Sequence, residues 1–418
     1  MTFITNKGIC RVSTTPSHNQ RVVSGMRPTG LLHLGHYHGV LKNWVEMQLN
    51  YECFFFVADW HALTTHYETP GGISQHVEDM AIDWLAAGIS PSSATIFTQS
   101  HVPEHAELHL LLSMITPLGW LERVPTYKDQ QEKLKERDLA TYGFLGYPLL
   151  QSADILIYKA DRVPVGEDQV AHIELTREVA RRFNHLYGRE PDFEQKAEQA
   201  ATKMGKKQAK MYRDLRRQYQ EQGDAEALSV GRALLESQQN LSIGDRERLF
   251  GYLEGSGKII LPEPQAALTK ASKMPGLDGQ KMSKSYNNTI ALREAPESVD
   301  KKIRTMPTDP ARGRRTDPGD PAKCPVWQFH EIYSNDTTKQ WVQEGCRSAG
   351  IGCLECKQPV IAAVQAELAP IQHRAAEFEE DRGRVRAILR EGAEAARQVA
   401  RETLADVMEA MRFTHHQR

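Results

Sequence analysis

Residues 53–58 (CFFFVA) form an unbroken apolar run of strand length, and a run of that kind reads as a strand covered on both faces. Such a strand calls for helices above and below it, the arrangement of a parallel α/β sheet. The surrounding pattern agrees, since from 21 to 188 short apolar runs alternate with amphipathic stretches. Residues 21–24 and 94–98 read as further strands, while 35–49, 73–87 and 169–187 carry helical spacing. Gly88 follows the second of these helices and Gly188 the third, each at a usual helix stop. The expected fold is therefore α/β, a Rossmann-like doubly wound parallel sheet.

Beyond 188 the character changes. Residues 189–261 are rich in Gln, Lys, Arg and Glu with weaker apolar periodicity, and read as a charged, mostly helical insertion ended by Pro262 and Pro264. A loop-rich segment over 266–288 follows, and residues 293–418 read as a helical domain interrupted by a Pro/Gly-rich stretch at 305–325. The expected organisation is an N-terminal arm (1–20), a catalytic domain (21–188 and 262–292), the insertion and the C-terminal helical domain. In the last helix Val385, Ile388, Leu389, Val399, Leu404, Val407 and Met411 fall largely on one stripe, which predicts packing on a partner.

With 418 residues, 40% hydrophobic and 25% charged, the chain can build ordinary soluble cores. No apolar run reaches the roughly 20 residues of a membrane span. Residues 1–20 lack the apolar segment of a secretory signal; their Ser/Thr-rich, acid-free composition is one that a short organellar transit peptide also has. A cytoplasmic location is expected, with neither membrane nor DNA as a partner. The formal net charge of −2 offers no global attraction for nucleic acid. Any phosphate contact must come from local patches, such as Lys196, Lys203, Lys206, Lys207, Lys210, Arg213, Arg216 and Arg217, opposed only by Glu198 and Asp214. A second basic stretch at 301–315 holds Arg304, Arg312, Arg314 and Arg315. Each patch also reads as an ordinary solvated face.

The chemistry concentrates at two places. Gly25-Met26-Arg27-Pro28-Thr29-Gly30 and His33-Leu34-Gly35-His36 lie directly after the first strand. A glycine-rich turn from strand to helix presents backbone N–H groups and the positive helix end to a triphosphate. The histidines can then donate to phosphate oxygens as charge builds during attack. Far downstream, Lys281-Met282-Ser283-Lys284-Ser285 sits in a polar loop; two lysines on a mobile loop can close over pyrophosphate as it leaves.

Together these motifs resemble those of the class I aminoacyl-tRNA synthetases. The blocks Asp59-Trp60-His61-Ala62-Leu63-Thr64, Val163-Pro164-Val165-Gly166-Glu167-Asp168-Gln169 and His172-Ile173-Glu174-Leu175-Thr176-Arg177 are similar to those of the tryptophanyl branch, as is Arg390-Glu391-Gly392-Ala393-Glu394. The resemblance implies ATP with Mg2+, L-tryptophan and tRNA(Trp) as substrates, and a homodimer in which one tRNA spans both subunits. It implies ATP contacts from Arg27, Pro28, Thr29, Gly35, His36, Gly166, Glu167, Asp168 and the segment from Lys281 to Ser285. His33, His36, Lys281 and Lys284 would stabilise the reacting phosphates. It also implies a tryptophan pocket of Tyr147, Gln151, Asp154 and Gln169, with Asp154 accepting the indole N–H. Indole offers one donor and no acceptor, so an acceptor-only carboxylate suits it. Gln151 stands where many bacterial members carry methionine, so Tyr147, Gln151 and Asp154 are also similar to the tyrosyl enzymes; the Gly166 to Gln169 block favours tryptophan.

Four of the six cysteines fall late, at Cys324, Cys346, Cys353 and Cys356. Soft thiolates suit zinc or an iron–sulfur cluster, and four free thiols are the plain alternative. A subset of tryptophanyl enzymes carries a similar series and binds a 4Fe-4S cluster there, which favours iron–sulfur over zinc. Cys53 reads as a core residue. Two other classes can share parts of this pattern. A small-molecule nucleotidyltransferase uses the same histidine and lysine motifs but needs no helical C-terminal half, and a non-catalytic RNA-binding relative would have lost motif residues that here persist.

Overall fold

The computed structural model describes residues 20–125, 141–166, 169–189, 192–268 and 274–413. Five parallel strands form its sheet in the order β3-β2-β1-β4-β5: β1 (Arg21–Met26), β2 (Glu52–Val57), β3 (Ala94–Thr98), β4 (Arg162–Val165) and β5 (Gln265–Leu268). The apolar run at 53–58 is the body of β2, paired on both sides, Cys53 with Val22 and with Ala94. The order reverses at β1, so the crevice beyond the carboxyl ends of β1 and β4 is the place where such a sheet binds ligands.

Strands β4 and β5 are absent from the sequence reading. Both are only four residues long, too short to display a period, and β5 lies at an edge where exposed positions leave no apolar run. The segment at 266–288 therefore begins as a strand rather than a loop.

One layer packs Trp44 flat against Phe55, ring centroids 4.3 Å apart, beneath the helix Ile73–Ala87. Gly88 ends that helix at φ +112°, a left-handed stop that costs glycine least. The opposite layer buries Phe54, Phe56 and Phe97 under the helices Tyr142–Leu156 and Val170–Tyr187. In the charged stretch, helices Phe193–Lys203, Lys206–Gln222, Ala225–Glu236 and Ile243–Glu254 enclose a separate small core around Phe193, Tyr212 and Leu249.

The apolar stripe of the last helix, Arg382–Ala410, finds its partner in the sheet itself: the helix lies along β3. A Cβ at Gly392 would stand 1.9 Å from the carbonyl oxygen of Ile96, so glycine is what lets helix and strand backbones touch. Arg397 and Arg401 clamp the buried Glu104 beside this contact at 2.9–3.1 Å. No helix among the described residues is long and apolar enough to cross a membrane.

Candidate active site

The first turn and the distant lysine loop meet. Lys284 Nζ donates to the Thr29 carbonyl at 3.0 Å, across 255 positions of sequence. Gly30 sits under that ammonium at φ +101°, which explains a glycine at this corner. Behind the turn, Leu34 N bonds Ile290 O at 3.0 Å and Leu292 N bonds Leu32 O at 2.9 Å. The segment after the loop thus zips onto the segment after the turn, and the buried Met282 side chain meets Gly35 N at 3.3 Å. Pro28 is buried beneath, while Arg27, Lys281 and Ser285 are exposed around the crevice. Ser283 bonds Ser285 through their hydroxyls at 2.9 Å and is fixed by Asn288 Oδ1 on its N–H at 2.8 Å.

The two histidines are held in one tautomer. Gly35 N donates to His33 Nδ1 at 3.1 Å, and His33 N donates to His36 Nδ1 at 3.3 Å. With Nδ1 committed as acceptor, each neutral ring carries its proton on Nε2 and can donate it. Burial, then the Lys284 charge, lowers the His33 pKa to about 4. Burial, then His33 and the two loop lysines, lowers that of His36 to about 3. Both rings are therefore neutral hydrogen-bond donors near pH 7, and the positive charge comes from the lysines.

Asp83, from the helix Ile73–Ala87, props the turn from below. Its Oδ2 accepts from Leu32 N at 2.9 Å and its Oδ1 faces Arg293 Nε at 2.7 Å. Burial raises its pKa to about 6 against the opposing pull of Arg293 and the Leu32 N–H. Nothing in the sequence pattern singles out Asp83, since an acid inside a helix looks like any solvated one.

Asp154 is 1% exposed and sits beyond the carboxyl ends of β2 and β3. Its Oδ1 accepts from His105 Nδ1 at 2.6 Å and Gln99 Nε2 at 2.8 Å, and its Oδ2 accepts from His61 Nε2 at 2.7 Å. His105 is oriented in turn by the Tyr158 hydroxyl, 2.7 Å from Nε2. Burial opposes ionisation of Asp154, but His61 and the hydrogen bonds from His105 and His61 outweigh it and hold the carboxylate well below its usual range. Of its roughly four acceptor positions, donors among the described residues take three, two on Oδ1 and one on Oδ2. Gln99, His105 and Tyr158 escaped the sequence reading; His61 appeared there only as part of a motif block.

Tyr147 is buried about two helical turns earlier, its ring 5.7 Å from that of His172, and Arg27 lies within its electrostatic reach. Gln151 is half-buried on the same helix, Gly166 is exposed at the end of β4, and Gln169 caps the following helix. Glu167 and Asp168 lie outside the described residues.

The basic patches shrink on folding. Lys203 pairs with Asp245 at 2.6 Å, Arg213 with Glu198 at 2.8 Å and Arg217 with Asp214 at 3.3 Å, and Arg216 stacks 3.7 Å over the Tyr252 ring. Lys206, Lys207 and Lys210 remain on the exposed face of their helix. Arg312 corrects the expectation of a phosphate contact: it is 8% exposed, donates to Ile351 O and Arg315 O, and approaches Cys346 Sγ at 3.6 Å. Arg304 is paired with Asp300 at 2.6 Å, whereas Arg314 and Arg315 are exposed.

All four late cysteines are free thiols, near enough that Cys324, Cys346 and Cys353 each raise the pKa of Cys356, which burial chiefly pushes up to about 12. His330 Nε2 stands 3.4 Å from Cys356 Sγ. Among the described residues no group of three or more His, Cys, Asp or Glu side chains converges as on a metal ion. Cys53 is 2% exposed in the core, as its sequence context implies.

Comparison with known proteins matches this geometry to a family. The tryptophan–tRNA ligase of Ralstonia nicotianae is 69% identical over 396 residues, 95% of this chain and 99% of that protein. That of Thermotoga maritima is 43% identical, covering 94% and 98% of the two chains. A crystal structure of the Campylobacter jejuni tryptophanyl-tRNA synthetase, complexed with ADP and tryptophan, superposes with a TM-score of 0.70 at 27% identity, covering 94% of this chain and all of that one. The family described as tRNA synthetases class I (W and Y) matches residues 15–215 and 228–369, and with the turn, the loop and the parallel sheet in register, the chain belongs to that family.

Proposed function

We propose that this chain is a tryptophan–tRNA ligase, an enzyme that activates L-tryptophan with ATP and transfers it to tRNA(Trp). The observation that carries this is the bond from Lys284 to Thr29, which closes a cationic loop over a strand-to-helix turn beside a buried carboxylate. Relatives aligned over nearly their full length carry that activity in their names.

ATP enters with Mg2+ on its phosphates. The tryptophan carboxylate attacks the α-phosphorus, the bond to the β-phosphate oxygen breaks, and pyrophosphate leaves with the electron pair. Neutral His33 and His36 donate from Nε2 to phosphate oxygens, and Lys281 and Lys284 neutralise the departing charge; positioning and electrostatics supply the acceleration without a covalent enzyme nucleophile. The 3′-terminal ribose hydroxyl of tRNA then takes the acyl group and AMP departs. Asp154 accepts the indole N–H on Oδ2, while Tyr147, Gln151 and Gln169 surround the rest of the amino acid. A phenol would meet the same acceptor, but the relatives favour indole. The expected result is ATP–pyrophosphate exchange that depends on tryptophan and is at background with tyrosine; exchange driven by tyrosine instead would overturn the assignment.

Cys324, Cys346, Cys353 and Cys356 hold a 4Fe-4S cluster. Two buried cations support this: Arg312 and Lys357 face the cysteines, and neither has a salt bridge among the described residues. Among the described residues Lys357 Nζ bonds the carbonyls of Arg304 and Met306, at 2.6 and 2.7 Å. Anionic thiolates around a cluster would neutralise such charges. Anaerobically purified protein should contain about four irons per chain, the number in the cubane, with visible absorption that the Cys346→Ser variant loses; zinc at one per chain without iron would reverse the choice.

The cations left exposed, Arg314, Arg315 and Lys206 to Lys210, contact tRNA phosphates, and the C-terminal helices read the anticodon. Leu110, Met114 and Leu118 are large apolar side chains exposed on the helix Glu104–Ser113, at its C-cap and at the start of the next helix, and contact with a second copy in a homodimer would cover them. The compartment is the cytoplasm, where thiolate-held iron stays reduced.

A further inference from the structure

The helical segment that continues past His36, through Tyr37–Leu41 and Lys42–Met47, is gripped by the C-terminal helices. Tyr37–Leu41 is a π-helical turn, an irregularity that recurs at functional sites, and it presents His38 towards the helix Cys353–Glu380. There His38 Nε2 lies 2.9 Å from Glu367 Oε2 and 3.0 Å from the Tyr333 hydroxyl. Tyr333 donates to the same Glu367 oxygen at 2.7 Å, and Lys42 Nζ donates to Oε1 at 2.7 Å. Lys42 also approaches His38 Nδ1 at 3.4 Å, so Nε2 carries the proton given to Glu367. His38 is 5% and Glu367 18% exposed at the side chain. Burial works against the Glu367 charge, but hydrogen bonds from His38 and Lys42 bring its pKa down to about 2.

Three side chains from three separate elements thus share the half-buried Glu367 carboxylate, and one of them, His38, lies two residues beyond a phosphate-facing histidine. Tyr333 ends the helix that carries His330, whose Nε2 also lies 3.1 Å from Cys356 O. A continuous set of contacts therefore runs from the cysteines to the ATP turn. We infer that Glu367, held by Tyr333 and Lys42, is a positioning residue that fixes His38 and thereby aims His36, so that the ATP site is set by the seating of the C-terminal helices. This rests on the reading of His36 as a phosphate donor.

The test is pyrophosphate exchange by the full chain carrying Glu367→Ala, Glu367→Gln, Tyr333→Phe, His38→Gln or His36→Ala, with thermal melting alongside. Glu367→Ala should lower kcat/KM for ATP about 10- to 100-fold, as a displaced phosphate donor would, with KM for tryptophan within about twofold. Tyr333→Phe and Glu367→Gln, which keep shape, should lose less in the same direction. The double variant with His38→Gln should be no worse than Glu367→Ala alone, because both break one contact. Equal loss for ATP and tryptophan, or additive losses, would mean general loosening and overturn the inference. Normal ATP kinetics in Glu367→Ala beside a crippled His36→Ala would overturn it alone, whereas a fully active His36→Ala would overturn the phosphate role itself.

Discussion

Replacing Lys284 with alanine should slow tryptophanyl-adenylate formation about 10²- to 10³-fold, the usual cost of removing one preorganised group aimed at developing charge. The ammonium already stands over the turn, 3.0 Å from Thr29 O, and next to it are two histidines that are neutral at working pH. Neutral donors can follow phosphate geometry, but they cannot offset the charge of departing pyrophosphate, so that task falls to Lys284 and Lys281. Tryptophan is proposed to bind against Asp154 and not against the loop lysines, so its affinity measured by calorimetry should stay near that of the parent. Lys284→Arg should recover little, because a planar fork differs from a compact point charge in both reach and hydration. Pre-steady-state adenylate formation near the parental rate in Lys284→Ala would remove the lysine from the mechanism.

The second large effect is expected at Asp154. In Asp154→Asn one carboxylate oxygen becomes an NH2 group, yet every neighbour on the protein side, His61, His105 and Gln99, is turned to donate. A donor would then face a donor in a fully buried site. Breaking such a pairing costs on the order of 3 kcal/mol of stability, readable as a lower midpoint in urea. The indole N–H would also lose its proposed ionised acceptor, so kcat/KM for tryptophan should fall about 10²-fold or more while KM for ATP changes little. Because the folded state depresses the Asp154 pKa, its contribution to stability is present above the unfolded aspartate value and is lost as pH falls below it. The pH dependence of stability on the acid side should therefore flatten in the variant. Unchanged tryptophan kinetics and an unchanged acid limb would show that the carboxylate serves neither purpose.

Both effects depend on contacts of differing range, and legibility in the sequence follows that range. Strands β1 to β3 and the helix Ile73–Ala87 could be placed because apolar run, period and glycine stop all lie within a few residues of one another. The turn and the lysine loop were legible as motifs for the same reason. Strands β4 and β5 were not, since four residues carry no period, and the pairing of β4 with β1 and of β5 with β4 is decided by neighbours from elsewhere in the chain. Eight cations counted along one stretch gave no measure of the surface charge, because Glu198 and Asp245 meet Arg213 and Lys203 only once the helices pack, and Asp214 pairs with Arg217 within its own helix.

Local pattern along the chain is enough to place the kind of sheet, the glycine-rich turn after its first strand and the residues proposed to touch ATP. Tertiary structure alone decided the state of those groups: which histidine nitrogen bears the proton, that Asp154 is enclosed by donors 49 to 93 residues away, that Arg312 is buried, and that His38 meets Glu367 across 329 positions. Hydrophobic periodicity is a short-range property written into consecutive residues, whereas ionisation and hydrogen-bond direction depend on burial and on partners that only the packed chain brings together.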